Sequence, residues 1–226
     1  PEIFPLNTSG IVTMGDAFIV SEDREILRTR LHSWSGSDQD AVSLKSEYSL
    51  GKNYAAWITG NRPDIQIDDE LICPILYRPF DRRWTYFDNQ LVWRPRTKIF
   101  RHLLAGQNLA LVTVRRVPDG HAPPYVFCSR DIVVNGSIRS DSTSIDSAYP
   151  LYLFDEDGSR IDNISVQARK KLEKNLSNEM VAQDLFDYVY GILHSPSYRE
   201  KYSEYLQSDF PRVPIPRDDT EFEHFK

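Results

Sequence analysis

The chain has 226 residues, of which 40% are hydrophobic and 12% aromatic, and its formal net charge is −6. This composition indicates a packed globular protein rather than a disordered one, and the length allows one large domain or two small ones. The sequence contains neither an apolar run of about 18 residues nor the basic and apolar regions of a secretory signal, so we expect no membrane-spanning segment and no membrane partner.

The first quarter of the sequence predicts a lead-in followed by a helix. Residues 1–20 are predicted to be extended. Ser21 has the chemistry of a helix N-cap, and acidic residues follow it. Apolar residues then recur at the spacing of one helix face, which predicts an amphipathic helix over 22–34. Residues 35–52 are polar and weakly patterned, and predict a loop with a short helical turn.

From residue 54 to about 156 the pattern changes to short apolar runs separated by turn residues. The dipeptides Asp-Gly and Asn-Gly between these runs are typical of hairpins. A short helix is predicted over Thr97–Leu104. The candidate strands are YAAWITG, LICPILYRPF, RRWTYFD, NLALVTVRRV, PPYVFCSRDIVV and YPLYLFDED.

After residue 163 the sequence predicts helices. One helix stops near His194, because Pro196 cannot continue it. Ser197 and Glu200 have the spacing of a capping box and predict the start of another helix. A Pro-rich tail follows and is predicted to be extended.

These elements predict a single α+β domain over residues 1–226, in which a helical C-terminal part packs against a curved, mostly antiparallel sheet region. The domain divides into a lead-in and helix at 1–53, a β-rich part at 54–160, and a helical part with the extended tail at 161–226. No internal repeat or low-complexity linker separates these parts.

Positive charge is concentrated in the middle of this acidic chain. Between Arg78 and Arg139 there are eleven Arg/Lys against four Asp/Glu, a local charge of +7. Arg outnumbers Lys by 19 to 8 in the whole chain. Arg is favoured where planar, bidentate contacts to phosphate or guanine are made. The negative net charge therefore does not argue against a nucleic-acid partner.

The sequence carries no catalytic signature. It has no phosphate-binding loop, no dinucleotide-binding glycine motif and no nucleophile elbow. The five histidines and two cysteines lack metal-ligand spacing, and two isolated cysteines are typical of a reducing cytosol. The acidic stretch 64–70 lacks the lysine spacing of the common metal nucleases and is interpreted as a solvated turn. We therefore expect no catalytic residue, no metal site and no cofactor in this chain.

The basic region mixes cations, aromatics and turn residues, which suits a surface facing a nucleic-acid groove. Arg, Lys and small polar groups hold phosphates, Arg pairs with guanine, and Asn or Gln pairs with adenine. Two alternatives remain open: the aromatics are core residues, and the arginines beside Asp81 form structural ion pairs. The candidate DNA-binding residues are Arg94, Arg96, Lys98, Arg101, Arg115, Arg116, Arg130, Asn135 and Arg139.

Six blocks follow one another along the chain: SGIVTMGDAFIV, YRPFDRRWTYFD, WRPRTKIFRHLLAGQNLALVTVRRV, FCSRDIVVNGSI, YPLYLF and YVYGILHSPSYREKYSEYLQSDFPRVP. Together they resemble the C-terminal target-recognition (specificity) region of type ISP restriction-modification enzymes. These enzymes join a nuclease, a helicase-like ATPase, an adenine methyltransferase and a DNA-recognition domain in one chain. The resemblance extends from about residue 9 to residue 216.

The resemblance implies a recognition domain for double-stranded DNA. The first residue is not Met, and we expect the catalytic domains of a longer parent enzyme to lie upstream, with residues 1–53 facing the methyltransferase. The domain would position a target adenine for that methyltransferase and set the site for the ATP-dependent nuclease. S-adenosylmethionine, ATP and Mg²⁺ would be cofactors of the parent enzyme, which would act in the cytoplasm of a bacterium or archaeon.

Members of such a family recognise different DNA sequences, so blocks common to the family suit scaffold or phosphate contacts. We expect the base-recognising residues in the more individual stretches, at about 88–97, 115–125 and 135–147. The alternative function is a protein-interaction module that docks other domains of the parent enzyme and contacts DNA little.

Overall fold

Two four-stranded sheets form the centre of the structure. The computed structural model describes residues 2–114, 126–138 and 145–226, apart from the side chain of Ser208. Both sheets take a strand from the lead-in, so residues before 54 contribute to the β structure as well as to the helices. The strands are β1 (Thr8–Ser9), β2 (Val20–Ser21), β3 (Ile72–Arg78), β4 (Asp81–Tyr86), β5 (Ala110–Val114), β6 (Val126–Ser129), β7 (Ile132–Val133), β8 (Asp146–Pro150), β9 (Tyr152–Phe154) and β10 (Arg160–Asp162).

The first sheet has the strand order β2-β4-β3-β7. β3 and β4 form a hairpin with a two-residue turn at Pro79 and Phe80, and a β-bulge interrupts their pairing between Leu76 and Arg78. β7 lies on the other side of β3 and is parallel to it, while the remaining pairs are antiparallel. The hairpin turn and the C-terminal end of β7 therefore lie at the same end of this sheet.

The second sheet has the order β1-β8-β5-β6, with antiparallel pairing throughout. Its central strand, β5, is buried along its whole length, as expected for an apolar strand covered on both faces. β9 and β10 form a separate two-stranded hairpin.

Helices surround the two sheets. Three short 3₁₀ segments, Arg62–Asp64, Asp69–Leu71 and Glu173–Asn175, extend or connect them. The α-helices are α1 (Asp16–Ile19), α2 (Arg24–Ser35), α3 (Ala41–Tyr48), α4 (Lys52–Asn61), α5 (Thr97–Leu104), α6 (Val166–Leu172), α7 (Ala182–His194), α8 (Pro196–Lys201), α9 (Ser203–Ser208) and α10 (Asp219–Phe225). Within the described ranges, no helix is long and apolar enough to cross a membrane.

Two hydrophobic clusters stabilise the fold. The first joins the β2-β4-β3-β7 sheet to α2, α3 and α4, with fully buried Leu31, Ile58 and Ile75 among its members. The second joins the other sheet to the C-terminal helices through residues such as Tyr149 and Tyr188. Burying one such aliphatic or aromatic side chain contributes about 1.5–3 kcal/mol, so these clusters hold helices and sheets together.

The α+β class is confirmed, and so are the helix over Thr97–Leu104 and five of the six candidate strand runs, two of which each contain two strands. The strand predicted for YAAWITG is wrong, because those residues lie in α4. Tyr54, Ala55 and Ile58 are buried there at helical spacing. A short apolar run does not distinguish a buried helix from a strand by periodicity alone.

Two predicted helix caps are also displaced. Asp23 caps α2, and its carboxylate accepts hydrogen bonds from the backbone N–H groups of Glu25 and Ile26, while Ser21 belongs to β2. Ser195 caps α8 instead of Ser197. In both cases the residue chosen from the sequence lies two positions from the true cap, where a second polar residue offers the same chemistry. The tail is extended only up to α10, which was not predicted.

Candidate nucleic-acid interface

The segment Gly10–Val12 lies between two predicted DNA-binding residues. Ile11 forms a parallel bridge to Val134 at the end of β7, and Asn135 donates its backbone N–H to the Ile11 carbonyl at 2.8 Å. On the other side, Val12 and Arg94 exchange backbone hydrogen bonds of 3.0 and 3.1 Å. Adjacent strands lie about 4.8 Å apart. The backbones of Arg94 and Asn135 are therefore brought to within about two strand spacings of each other.

Gly10 permits this arrangement. A Cβ atom at residue 10 would lie 2.4 Å from the backbone nitrogen of Asn135 and 2.6 Å from the carbonyl carbon of Val134. No real Cβ contact is this short, so only glycine allows the lead-in to approach this closely. The block SGIVTMGDAFIV, one of the six that carry the family resemblance, therefore has a structural role, because it brings Arg94 and Asn135 together.

The helix α5 presents two further candidates. Ile99, Phe100, His102 and Leu103 bury one face of α5, whereas Lys98 and Arg101 lie on the exposed face. The buried face is anchored at His102, whose Nδ1 accepts the backbone N–H of Phe154 at 3.0 Å. This burial lowers the pKa of His102, which favours the neutral imidazole that the hydrogen bond requires.

Arg96 stands immediately before α5 in a strained conformation. Its φ of 58° and ψ of 37° lie in the left-handed region, which non-glycine residues rarely adopt. Its Nε is buried and has no hydrogen-bond partner among the described residues. Backbone strain and an unsatisfied polar atom each cost folding free energy. Their occurrence at the same residue is typical of functional sites.

The four candidate arginines that the structure describes differ from most other described arginines, because they have no side-chain partner there. Within the described ranges there are sixteen arginines, and eleven of them form side-chain hydrogen bonds, ion pairs or cation–π contacts. The five without any such contact there are Arg94, Arg96, Arg101, Arg130 and Arg212. Four of these five were predicted to bind DNA from the sequence. Three of these four are exposed residues and are available to an external ligand, whereas the Nε of Arg96 is buried.

The arginines of the β3–β4 hairpin are used differently. Arg82 forms a bidentate pair with Asp131, with nitrogen–oxygen distances of 2.6 and 3.1 Å. Arg83 pairs with Asp81 at 2.9 Å, and Arg78 stacks on the ring of Tyr77 at 4.3 Å. The structural ion pairs expected beside Asp81 are therefore confirmed for Arg82 and Arg83, whereas Arg78 contacts the ring and carbonyl of Tyr77 instead. Bidentate pairing of this kind fixes the hairpin and neutralises the charge of Arg82 and Arg83, although the Arg82 side chain stays 61% exposed.

The structure separates one candidate from the others. Arg130 precedes β7 and Asn135 follows it, so the two lie at opposite ends of a short extended segment, about 15 Å apart along the chain. Arg130 is exposed, but it lies at the opposite end of β7 from Asn135. Three further candidates, Arg115, Arg116 and Arg139, lie outside the described residues.

A buried carboxylate supports the turn that carries Asn135. Asp146, at the start of β8, is 1% exposed, and its Oδ2 accepts hydrogen bonds from the Ser137 hydroxyl at 3.1 Å and the Ile138 N–H at 3.3 Å. Burial raises the pKa of this carboxyl above its usual range. Asp146 was not predicted from the sequence, because nothing in its local sequence distinguishes a buried acid from an acid in a polar loop.

The ends of the described segments converge beside this turn. Val114 pairs with Asp146, and Val126 pairs with Thr113 on the other side of β5. Val114, Val126 and Ile138 thus lie at one end of the second sheet. No group of three or more acidic, histidine or cysteine side chains that could hold a metal ion occurs in residues 2–114, 126–138 and 145–226.

Comparison with known proteins gives a family match and several similar folds. The family model described as the Type ISP C-terminal specificity domain matches residues 2–226. A comparison with curated proteins found no match. Among solved structures, a DrdV–DNA complex determined by cryoEM is 24% identical with a TM-score of 0.75, and the match covers 99% of this chain and 22% of that chain.

Two Type ISP restriction-modification enzymes have the same fold in part of their chains. A nuclease-deletion mutant of LlaGI in complex with a DNA substrate mimic is 21% identical with a TM-score of 0.68, covering 98% of this chain and 21% of that chain. The ATP-dependent enzyme LlaBIII bound to DNA is 18% identical with a TM-score of 0.68, covering 94% and 14%. The present chain spans about a fifth of the first two solved chains that it matches.

Proposed function

Because the chain belongs to the Type ISP C-terminal specificity domain family, we propose that it recognises a specific sequence in double-stranded DNA. One observation carries the proposal: four of the five arginines without a side-chain partner in the described ranges belong to the basic region, and Arg94 and Asn135 flank one strand-like segment there. The DrdV and LlaBIII structures of the same fold contain DNA, and the LlaGI structure contains a DNA substrate mimic, which supports this choice of ligand.

The chemistry of these side chains suits both parts of DNA recognition. Arg and Asn form bidentate pairs with guanine and adenine in the major groove, and each good pair contributes about 1–3 kcal/mol of discrimination. Lys98 and Arg101, on the exposed face of α5, suit phosphate contacts, which fix the register without recognising sequence. Arg115, Arg116 and Arg139 remain candidates on their sequence alone.

The same proposal assigns this chain a place in a larger enzyme. It would position a target adenine for an upstream methyltransferase, which must move the base out of the stack to reach it, and would set the site at which an ATP-dependent nuclease engages. This chain would then have no catalytic role. S-adenosylmethionine, ATP and Mg²⁺ would serve the other domains, and the enzyme would act in the cytoplasm.

The salt dependence of DNA binding tests the proposal against a docking module. A protein that neutralises phosphates releases counterions, so its DNA affinity falls steeply as salt rises. We expect the 226-residue chain to bind a duplex with an affinity that falls about 10- to 1000-fold between about 50 and 200 mM salt. Absence of DNA binding at both salt concentrations would contradict the proposal and favour docking to other domains.

A further inference from the structure

One aromatic side chain lies almost wholly in solvent. Phe80 occupies the second position of the β3–β4 turn, is 96% exposed, and has a φ of 64°. A left-handed backbone is costly for any residue with a Cβ, and an exposed phenyl ring contributes little to folding. The same turn would form more easily with Gly or Asn at this position. Phe80 therefore has two features that the fold does not need.

The hairpin that carries Phe80 is held rigidly. Arg82 is paired with Asp131 and Arg83 with Asp81. The Tyr77 hydroxyl donates a hydrogen bond of 2.7 Å to Asp16. These contacts fix the strands on both sides of the turn, and the ring of Phe80 projects from it into solvent.

The β3–β4 turn lies at the same end of its sheet as Asn135, one of the candidate DNA-binding residues. β7 runs parallel to β3 with Leu76 opposite Val133, so Asn135 lies two residues beyond the pair on one strand and Arg78 two residues beyond it on the other. The rings of Phe80 and Phe127 are T-shaped relative to each other, with a centroid distance of 6.1 Å. Phe127 belongs to β6, an outer strand of the second sheet.

A second exposed apolar residue lies toward the same end of this sheet. Met14 follows the segment Gly10–Val12, which is parallel to β7, and it is 54% exposed with a φ of 64°. Asp16 joins the neighbourhoods of the two residues, because it accepts hydrogen bonds from Thr13, next to Met14, and from Tyr77 in the strand that leads to Phe80. Two strained turns thus present apolar side chains beside the polar candidates.

We infer that Phe80 is an aromatic wedge that stacks against a base at one step of bound duplex DNA; this inference rests on the proposed function. Apolar side chains such as Phe and Met are the groups that proteins insert between base steps. A protein-docking anchor would sit within an apolar patch. The strand residues that flank the turn, Arg78, Asp81 and Arg82, are charged, and Pro79 is the one apolar residue among the immediate neighbours of Phe80 in the chain.

The test combines binding with base unstacking. The duplexes carry the fluorescent base 2-aminopurine at each position of the bound site in turn, and the 226-residue chain is compared with Phe80→Asn and Phe80→Trp. Wild type should raise the fluorescence at one position, because unstacking relieves quenching. Phe80→Asn should abolish the rise and weaken binding about five- to hundredfold. Phe80→Trp should retain both properties.

Two controls separate a wedge from a structural role. Asn tolerates a positive φ, so Phe80→Asn should leave the melting temperature unchanged or higher, and it should not alter the salt dependence of binding because no charge is removed. Val42→Asn removes a 75% exposed apolar side chain from α3 and should change neither fluorescence nor affinity.

The outcomes are distinguishable. Absence of DNA binding by wild type would overturn the proposed function and this inference with it. Normal binding with identical affinity and fluorescence for Phe80→Asn would overturn the wedge alone and favour a protein partner for the turn. A lowered melting temperature for Phe80→Asn would show that the ring supports the fold through Phe127, and would also overturn the wedge.

Discussion

The hydroxyl of Ser137 donates a hydrogen bond of 3.1 Å to the buried carboxylate of Asp146. This contact joins the turn after β7 to the first residue of β8. Burial raises the pKa of Asp146 above the value of about 4 that it has in the unfolded chain. The folded protein therefore binds this proton more readily, and the group's contribution to stability falls as pH rises from about 4 through the raised pKa.

Asp146→Asn should remove this dependence, because the amide oxygen still accepts from Ser137 and nothing titrates. We expect the variant to gain stability relative to wild type between about pH 4 and pH 8, measured as the free energy of unfolding in urea at both values. Asp146→Ala should destabilise the protein by about 1–3 kcal/mol at either pH, since the Ser137 hydroxyl is left without its partner. A constant difference between wild type and Asp146→Asn would contradict the raised pKa.

Gly10 should not tolerate a side chain. Gly10→Ala places a methyl group 2.4 Å from the backbone nitrogen of Asn135, and we expect a destabilisation of about 1–3 kcal/mol from overpacking. The matched control is Gly60→Ala in α4, where a Cβ meets nothing within 4 Å. That change should stabilise the protein by up to about 1 kcal/mol through helix propensity. Thermal unfolding of the two variants distinguishes them, and equal stability of Gly10→Ala and wild type would refute the close approach.

Asn108 joins the end of α5 to β9. Its amide nitrogen donates to the carbonyls of His102 at 2.9 Å and Tyr152 at 2.8 Å. Asn108→Asp cannot donate, so it should leave two carbonyls unpaired beside a buried charge and cost about 2–4 kcal/mol in urea unfolding at about pH 7. Its exposed neighbour provides the control: Gln107→Glu makes the same chemical change and should stay within about 0.5 kcal/mol of wild type.

The arginines without a side-chain partner in the described ranges should differ in their effect on DNA binding according to where they lie. Arg94→Ala and Arg101→Ala should weaken DNA binding, and removal of one phosphate-binding cation should reduce the slope of log affinity against log salt by about 1. Arg212 is equally exposed and also lacks a side-chain partner in the described ranges, but it lies in the C-terminal tail, so Arg212→Ala should bind as wild type does. Binding titrations at a series of salt concentrations measure both quantities. An equal effect of all three changes would mean that DNA is held by charge without a defined surface.

The elements of the site were easier to predict from the sequence than their assembly. The sequence predicts a short helix over Thr97–Leu104, and the structure confirms it. The candidate arginines could be chosen from composition, since cations gather in one region. Local pattern did not show which arginines are paired: Arg82 finds its partner, Asp131, 49 residues away.

The proximity of Arg94 and Asn135 was beyond local sequence reasoning. It depends on the segment Gly10–Val12 inserting between two parts of the chain that are distant in sequence, one at Arg94 and the other at Val134. Backbone hydrogen bonds of this kind leave no composition signal. The glycine that permits the insertion is one of ten in the chain. Only the distances in the folded structure distinguish it from a glycine in open space.

Sequence recognition by this chain is tested most directly by selection from a randomised duplex pool, with the 226-residue wild type and Arg94→Ala selected in parallel. We predict that wild type enriches one short sequence motif. Arg94→Ala should lose the base preference at one position of that motif if Arg94 contacts a base. If Arg94 contacts a phosphate, the variant should bind every sequence more weakly by about the same factor. Salt-sensitive binding without enrichment of any motif would contradict sequence recognition by this chain.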